Sequence, residues 1–230
     1  MNILITGTNR GIGLEMVKAS VHKGWRVFAC CRNPSNANEL NEVATRSNGL
    51  VSVHRLDVTD TDQIKLLATE LRNETIDILY NNAGVYGSMQ HDFGNTDVAD
   101  WLKTFEIDAI APMKVAEHFV EHVARSSVRK MVFMSSKMGS MTDNGSGGCY
   151  LYRSSKAALN AIVTSMAIDL RPRGITCLLM HPGWVKTDMG GPYAEITTKE
   201  SVTALFKTIE NTTLENSGSF YDIDGLIIPW

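Results

Sequence analysis

Tyr152 and Lys156 stand four residues apart in the run YRSSK. On a helix that spacing puts both side chains on one face, with β-carbons about 5–6 Å apart, so a phenol and an ammonium can point into one cleft. A free phenol ionises near pH 10, about three units above neutrality, and an adjacent positive charge favours the phenolate. Tyr152 can then act as a proton carrier for a carbonyl or alcohol oxygen. The same pair can also be an ordinary amphipathic helix side, so its neighbours decide the reading. Upstream, RKMVFMSS brings Ser135 and Ser136 to the end of an apolar run. Strand side chains alternate, so the two hydroxyls point to opposite faces. We assign Ser136 to the substrate oxygen beside the tyrosine and leave Ser135 a structural role.

Such groups need a scaffold. Short apolar runs rich in β-branched residues (NILIT, WRVFACC, VSVHRLD, IDILYNN, RKMVFMS, GITCLLM and GSFYDI) alternate with stretches of helical period. That alternation predicts an α/β fold, a doubly wound Rossmann sheet of seven parallel strands with helices on both faces. Predicted helices include 11–24, ending at Gly24; 60–71, opening on a capping residue; and a long amphipathic stretch over 97–125 bent at Pro112. Residues 139–148, rich in Gly, Ser, Asn and Asp, read as a loop before the helix that carries YRSSK.

The first strand runs directly into TGTNRGIG, Thr6 to Gly13. Gly7 allows a tight turn, Gly11 a close backbone approach to a pyrophosphate, and Gly13 close packing of helix on strand, with Asn9, Arg10 and Ile12 as further contacts. The helix start offers unpaired N–H groups and a partial positive charge. An acidic residue ending the second strand would select NAD through the adenosine ribose hydroxyl, but Arg32 stands there, with Arg10 nearby. Two guanidiniums favour a 2′-phosphate, so NADP(H) is the expected cofactor, unless both are merely solvated surface charges. An oxidised nicotinamide ring would add to the positive charge favouring a phenolate at Tyr152. Asp57 can accept from the adenine amine with Val58 flanking the ring, or Asp57 can cap the helix that follows.

The bulk properties exclude several classes. A 230-residue chain with 43% hydrophobic residues suits one domain. A net charge of −3 provides no surplus for a phosphate backbone, so no nucleic-acid partner is expected. Four cysteines, without CxxC spacing, suggest a reduced, cytoplasmic protein. No apolar run approaches the roughly 18 residues of a membrane span, so no membrane partner is expected. His181 has no hydrolase pattern around it and reads as structural; two histidines on the helix near 117–125 lack a third ligand, and no metal is assigned.

TGTNRGIG, NNAG at Asn81 to Gly84, the serine after the fifth strand, YRSSK and HPGWVKTDM occur in an order that resembles the short-chain dehydrogenase/reductase superfamily of classical size, over nearly the whole chain. DIDGLIIPW and TDMGGPYAEIT further resemble its C-factor and sniffer-like branch, a group of small carbonyl reductases and proposed signalling proteins. The resemblance implies transfer of the pro-S hydride of a nicotinamide to a carbonyl, with Tyr152 as general acid/base, Lys156 on the nicotinamide ribose and Ser136 on the substrate oxygen. It also implies that Asn82, Ala83 and Gly84 line the adenosine ribose side and Pro182, Gly183, Val185 and Thr187 the nicotinamide side. Family members are commonly dimers or tetramers, so a homo-oligomer is expected.

One position departs from the pattern. The family's fourth catalytic residue is an asparagine acting largely through its backbone carbonyl, and FEIDAIAP puts Asp108 there. A carboxylate at that point would steady the Lys156 ammonium and raise the cost of a Tyr152 phenolate, giving a working relay with a shifted pH optimum. Trp184 to about Thr198, with Gly190, Gly191 and Pro192, reads as a lid. Tyr86, Met138, Met141, Trp184, Met189 and Tyr193 are candidate walls for an apolar carbonyl substrate. The alternative to a reductase is a nucleotide-binding signalling or regulatory protein of the same fold with little turnover.

Overall fold

The computed structural model describes residues 1–88 and 92–230. In chain order its regular elements are β1 (Asn2–Thr6), α1 (Gly11–His22), β2 (Arg26–Cys31), α2 (Asn38–Arg46), β3 (Val51–Arg55), α3 (Thr61–Glu70), β4 (Ile78–Asn81), α4 (Val98–Phe105), α5 (Ala111–Ala124), β5 (Lys130–Met134), α6 (Tyr150–Leu170), β6 (Thr176–Met180), α7 (Thr198–Asn211) and β7 (Phe220–Tyr221).

In β1, Ile3 and Ile5 face one way and Leu4 the other, and all three are buried, so both faces of the sheet need cover. Leu14 and Val17 of α1, Leu40 of α2 and Leu205 and Phe206 of α7 bury the Ile3 face. Ile64 of α3, Val115 and Phe119 of α5 and Leu159 and Val163 of α6 bury the other. The result is a seven-stranded, all-parallel sheet in the order β3-β2-β1-β4-β5-β6-β7, the Rossmann-type α/β fold that the alternation predicts. The strand order reverses between β1 and β4, which opens a crevice beyond their C-terminal ends.

Several elements differ from the sequence reading. β7 has only two residues, and its free edge is covered when the chain turns back through a Tyr221–Ile227 bridge and stacks Trp230 on Phe220 with centroids 6.0 Å apart. Two helices escaped the reading. α7 carries a capping box, Thr197 with Glu200, and buries Val202, Leu205, Phe206 and Ile209 at helical spacing, so its signal was present. α2 is short and buries only Leu40, so its apolar period is faint. The stretch 97–125 is helical but is broken by a π turn, Glu106–Ile110, ahead of Pro112 rather than at it. Pro112 has no N–H to offer the Asp108 carbonyl four residues earlier, so the preceding turn widens.

Phe119→Ala is predicted to cost about 3–5 kcal/mol, because its ring is fully buried at the centre of one helix layer. Leu102→Ala on exposed α4 should cost less than about 0.5 kcal/mol. Urea denaturation of both variants measures the difference.

Candidate active site

The crevice is laced at its base by side chains that the sequence alone did not assign to that task. The Thr6 hydroxyl accepts from the backbone N–H of Asn82 and of Ala83, each at 3.0 Å. The Asn82 side-chain amide donates to the carbonyls of Thr6 and Gly7, at 2.9 and 3.1 Å. Asn82 borders the cleft, but its amide braces the glycine turn. Gly7 runs at φ +71°, and a Cβ there would stand 2.9 Å from the Ala83 Cα. A Cβ on Gly13 would strike the Gly7 carbonyl oxygen and reach 2.6 Å from the Asn82 amide nitrogen. The space Gly13 leaves free is therefore taken by the turn itself. The start of α1 has no side-chain cap and no acidic residue in its first turn, so its N–H groups and dipole remain available to an anion.

A cleft of about 500 Å³ extends from this turn. It is bordered by Gly7, Asn9, Arg10, Gly11, Ile12 and Gly13, by Arg32, Asp57 and Val58, by Asn82, Ala83 and Gly84, and by Tyr152, Lys156, Pro182 and Thr187. Gly183 and Val185 lie outside that wall. Lys18, Glu39, Lys186 and Asp188 border it as well and were not assigned: Lys186 and Asp188 lie within HPGWVKTDM, whereas no motif marks Lys18 or Glu39 and only folding brings them there.

Each cation at the outer end meets an acid or the solvent. Arg10 pairs with Asp188 at 2.6 Å, Lys18 lies 3.6 Å from Glu39, and Arg32 is exposed. Asp57 does not cap α3. That role falls to Asp60, which accepts from the Gln63 N–H, whereas Asp57 accepts from the Thr59 N–H and hydroxyl.

At the inner end, α6 presents Tyr152 and Lys156 together, with the Lys156 Nζ 5.5 Å from the Tyr152 ring centroid. Lys156 is buried; its ammonium donates to the Met134 carbonyl at 3.2 Å and lies 3.5 Å from the Asp108 carboxylate. Asp108, 0% exposed, also accepts from the Val85 N–H at 2.9 Å and the Ser155 hydroxyl at 3.2 Å. Gly84 covers the pair closely, since a Cβ there would come 3.1 Å from Asp108 and 3.4 Å from Lys156. Burial raises the Asp108 pKa, against the pull of Lys156 and its hydrogen-bond donors. Ser135 borders the cleft and donates its hydroxyl to the Asn160 side chain at 2.6 Å, whereas Ser136 lies outside the cleft wall. Ser136 accepts from the Met138 N–H, and its hydroxyl also hydrogen-bonds Tyr152.

The protein's own groups correct one expectation. The Tyr152 pKa is raised, not lowered: burial pushes it up, the Asp108 carboxylate pushes it further, and only the Ser136 hydrogen bond opposes them. The physical reason is that the Lys156 charge is answered by Asp108 next to it.

Beyond β6, residues 184–198 form a loop with its own bonds: Trp184 donates through Nε1 to the Gly190 carbonyl, and Val185 bridges Ile196. The Thr187 hydroxyl donates to the Val185 carbonyl at 3.3 Å and accepts from the Gly190 N–H at 3.1 Å. Of the candidate walls, Tyr86 stacks near Tyr152 and Met189 borders the cleft, while Met141 and Tyr193 are mostly exposed. Burial drives the His181 pKa down to about 4, which suits a neutral, structural ring. Among the described residues no cluster of His, Cys, Asp and Glu could hold a metal, and no helix is long and apolar enough to cross a membrane.

Comparison with known proteins follows from this geometry. The family model described as short chain dehydrogenase matches residues 1–209. C-signal of Myxococcus xanthus is 41% identical over 167 residues, covering 73% of this chain and 100% of that protein. The carbonyl reductase Sniffer of D. melanogaster superposes with a TM-score of 0.94 at 32% identity, covering 100% of this chain and 99% of that one. An NADPH-bound carbonyl reductase from chicken fatty liver gives 0.93 at 31% identity, covering 100% and 98%.

Gly13→Ala is predicted to weaken NADPH binding by roughly tenfold or more, since the new methyl displaces the Gly7 carbonyl and the Asn82 brace. Quenching of tryptophan emission measures binding, and far-UV circular dichroism checks that the sheet persists.

Proposed function

Because the chain belongs to the short chain dehydrogenase family, we propose that it is an NADP(H)-dependent oxidoreductase moving a hydride between the nicotinamide and a small or medium carbonyl or alcohol. The observation that carries this reading is the meeting of Tyr152 and Lys156 in one cleft with the glycine turn, 5.5 Å apart as ring and ammonium. The residues fit the cofactor. The turn leaves no room for a Cβ at Gly13, α1 offers uncapped N–H groups to a pyrophosphate, and Arg10 and Arg32 stand where an added phosphate needs cations. The NADPH bound by the chicken reductase supports the same choice.

When bound, the reduced nicotinamide supplies the hydride and its two electrons to the carbonyl carbon. Tyr152 gives its phenolic proton to the carbonyl oxygen, completing the alcohol, and Ser136 holds that oxygen by a hydrogen bond. Lys156 holds the nicotinamide ribose hydroxyls. Asp108 pairs with the buried Lys156 side chain, and burial together with the Asp108 charge keeps Tyr152 protonated and competent as an acid in the reducing direction. The Asp108 carbonyl, which receives no N–H from Pro112, remains available to a water in the proton relay. Residues 184–198 act as a lid, with Trp184 and Met189 shaping an apolar substrate side. Pro182, Gly183, the Val185 backbone and Thr187 would hold the carboxamide end of the cofactor. We also propose self-association, to which Val98, Leu102 and Ile110 offer exposed apolar surface.

The 41% identity with C-signal favours a second reading, a nucleotide-binding signalling protein with little turnover. NADPH oxidation over a panel of aldehydes, ketones and quinones separates the two: binding without turnover selects the second.

Tyr152→Phe is predicted to lower turnover by roughly 10²–10⁴-fold while NADPH still binds. Arg10→Ala with Arg32→Ala should weaken NADPH and leave NADH nearly unchanged, measured by paired titrations. For Asp108→Asn the sign is fixed by its charge. Removing an anion that raises the Tyr152 pKa moves the alkaline limb of the kcat/KM profile for reduction to lower pH. An unmoved limb with an unchanged rate would remove the Asp108 side chain from the catalytic set.

A further inference from the structure

The chain just after NNAG is tied down on both sides of Tyr86. Val85 donates its N–H to Asp108, and Ser88 donates its N–H to the Asp100 carboxylate at 2.6 Å. Between them Gly87 runs at φ +79°, where a Cβ would come 2.9 Å from the Thr104 hydroxyl and 3.4 Å from Leu151. Tyr86 is therefore carried on backbone fixed to α4, the π turn and α6. Its ring centroid lies 4.8 Å from that of Tyr152, tilted by 34°. Its hydroxyl lies 3.1 Å from the Cys149 sulfur. Cys149 precedes the first residue of α6, holds a left-handed conformation at φ 50°, and accepts at its carbonyl from the Arg153 N–H. The hydroxyl–thiol contact thus joins the far end of Tyr86 to the start of the helix that carries Tyr152.

We propose that Tyr86 is a positioning residue for Tyr152: its ring, secured at the hydroxyl by Cys149, holds the phenol in the orientation from which its proton reaches the carbonyl oxygen. On the side that opens onto the cleft, packing does not confine the Tyr152 ring. A second ring at stacking distance, fastened at both ends, removes that freedom on one side. A displacement of about 1 Å at a reacting group costs on the order of 10²-fold in rate, so a loosened Tyr86 acts on turnover rather than on cofactor affinity. This inference rests on the reductase reading, in which Tyr152 is the proton donor.

The test is steady-state reduction of 4-nitrobenzaldehyde and 9,10-phenanthrenequinone with NADPH, with nucleotide Kd measured in parallel. Tyr86→Leu removes the stacked ring and should lower kcat by roughly tenfold or more. Tyr86→Phe and Cys149→Ala each remove the hydroxyl–thiol contact and should lower kcat about threefold, with the double variant no worse than either single. Cys149→Ser keeps a partner for the Tyr86 hydroxyl and should restore kcat. Throughout, NADPH Kd and KM should stay within about twofold of wild type, a split that a general loss of structure would not produce. Tyr152→Phe inactive with the Tyr86 and Cys149 variants at wild-type kcat overturns this inference alone. Additive losses, or losses confined to KM or Kd, overturn it as well. A chain that turns over neither probe, or retains its rate as Tyr152→Phe, overturns the reductase reading and this inference with it.

Discussion

An ammonium group shut away from water has to be answered by other charges and dipoles, and Lys156 is such a group, with its side chain only 6% exposed. Leaving it unpaired would cost several kcal/mol of lost hydration. The answer comes from two different elements, the Asp108 carboxylate in the π turn and the Met134 carbonyl at the end of β5, while Gly84, which has no side chain to intrude, leaves room for the pair. Asp108 is in turn held by the Val85 N–H and the Ser155 hydroxyl. Neutralising one lysine therefore draws the ends of β4 and β5, the π turn and α6 to a single point. The π turn has its own cause in Pro112, whose missing N–H loosens the helix where Asp108 must turn inward.

The parallel sheet explains why such a convergence is possible. With every strand running the same way, all the strand-to-helix connections that carry chemistry leave from one edge. The switch between β1 and β4 then leaves a gap, and Thr6 and Asn82 stitch its two sides together by backbone and amide hydrogen bonds. The stitching lets the glycine turn pass directly over the start of α1. Pyrophosphate-binding geometry and sheet topology are one construction here.

The two ends of the cleft have opposite electrostatic characters. The outer end is wet, and its cations lie near exposed acids: the Arg10 and Asp188 side chains are 71% and 75% exposed. Such pairs contribute little to stability and can exchange partners with an arriving phosphate. The inner end is dry, so the Asp108 charge reaches Tyr152 with little screening and raises its pKa. The cleft is thereby divided between a region where charges are cheap to rearrange and one where they are held in place.

Much of this was legible from one dimension. The alternation of apolar runs with helical stretches specifies a parallel α/β sheet, because strand and helix periods are local properties of the chain. Gly7, Gly13, Tyr152 and Lys156 are readable for the same reason: a turn geometry and a helix face each depend on residues a few positions apart. The departure at Asp108 was also visible, down to its pairing with Lys156. What only the tertiary structure decided involves partners far apart in sequence. Asn82 turned out to brace the glycine turn 75 residues away, Arg10 to meet Asp188 178 residues away, and Cys149 to hold Tyr86 63 residues away. The direction of the Tyr152 pKa belongs to the same class. It depends on how far water is excluded and on which charge stands nearest, and neither exists until the sheet has brought β4, β5 and α6 together.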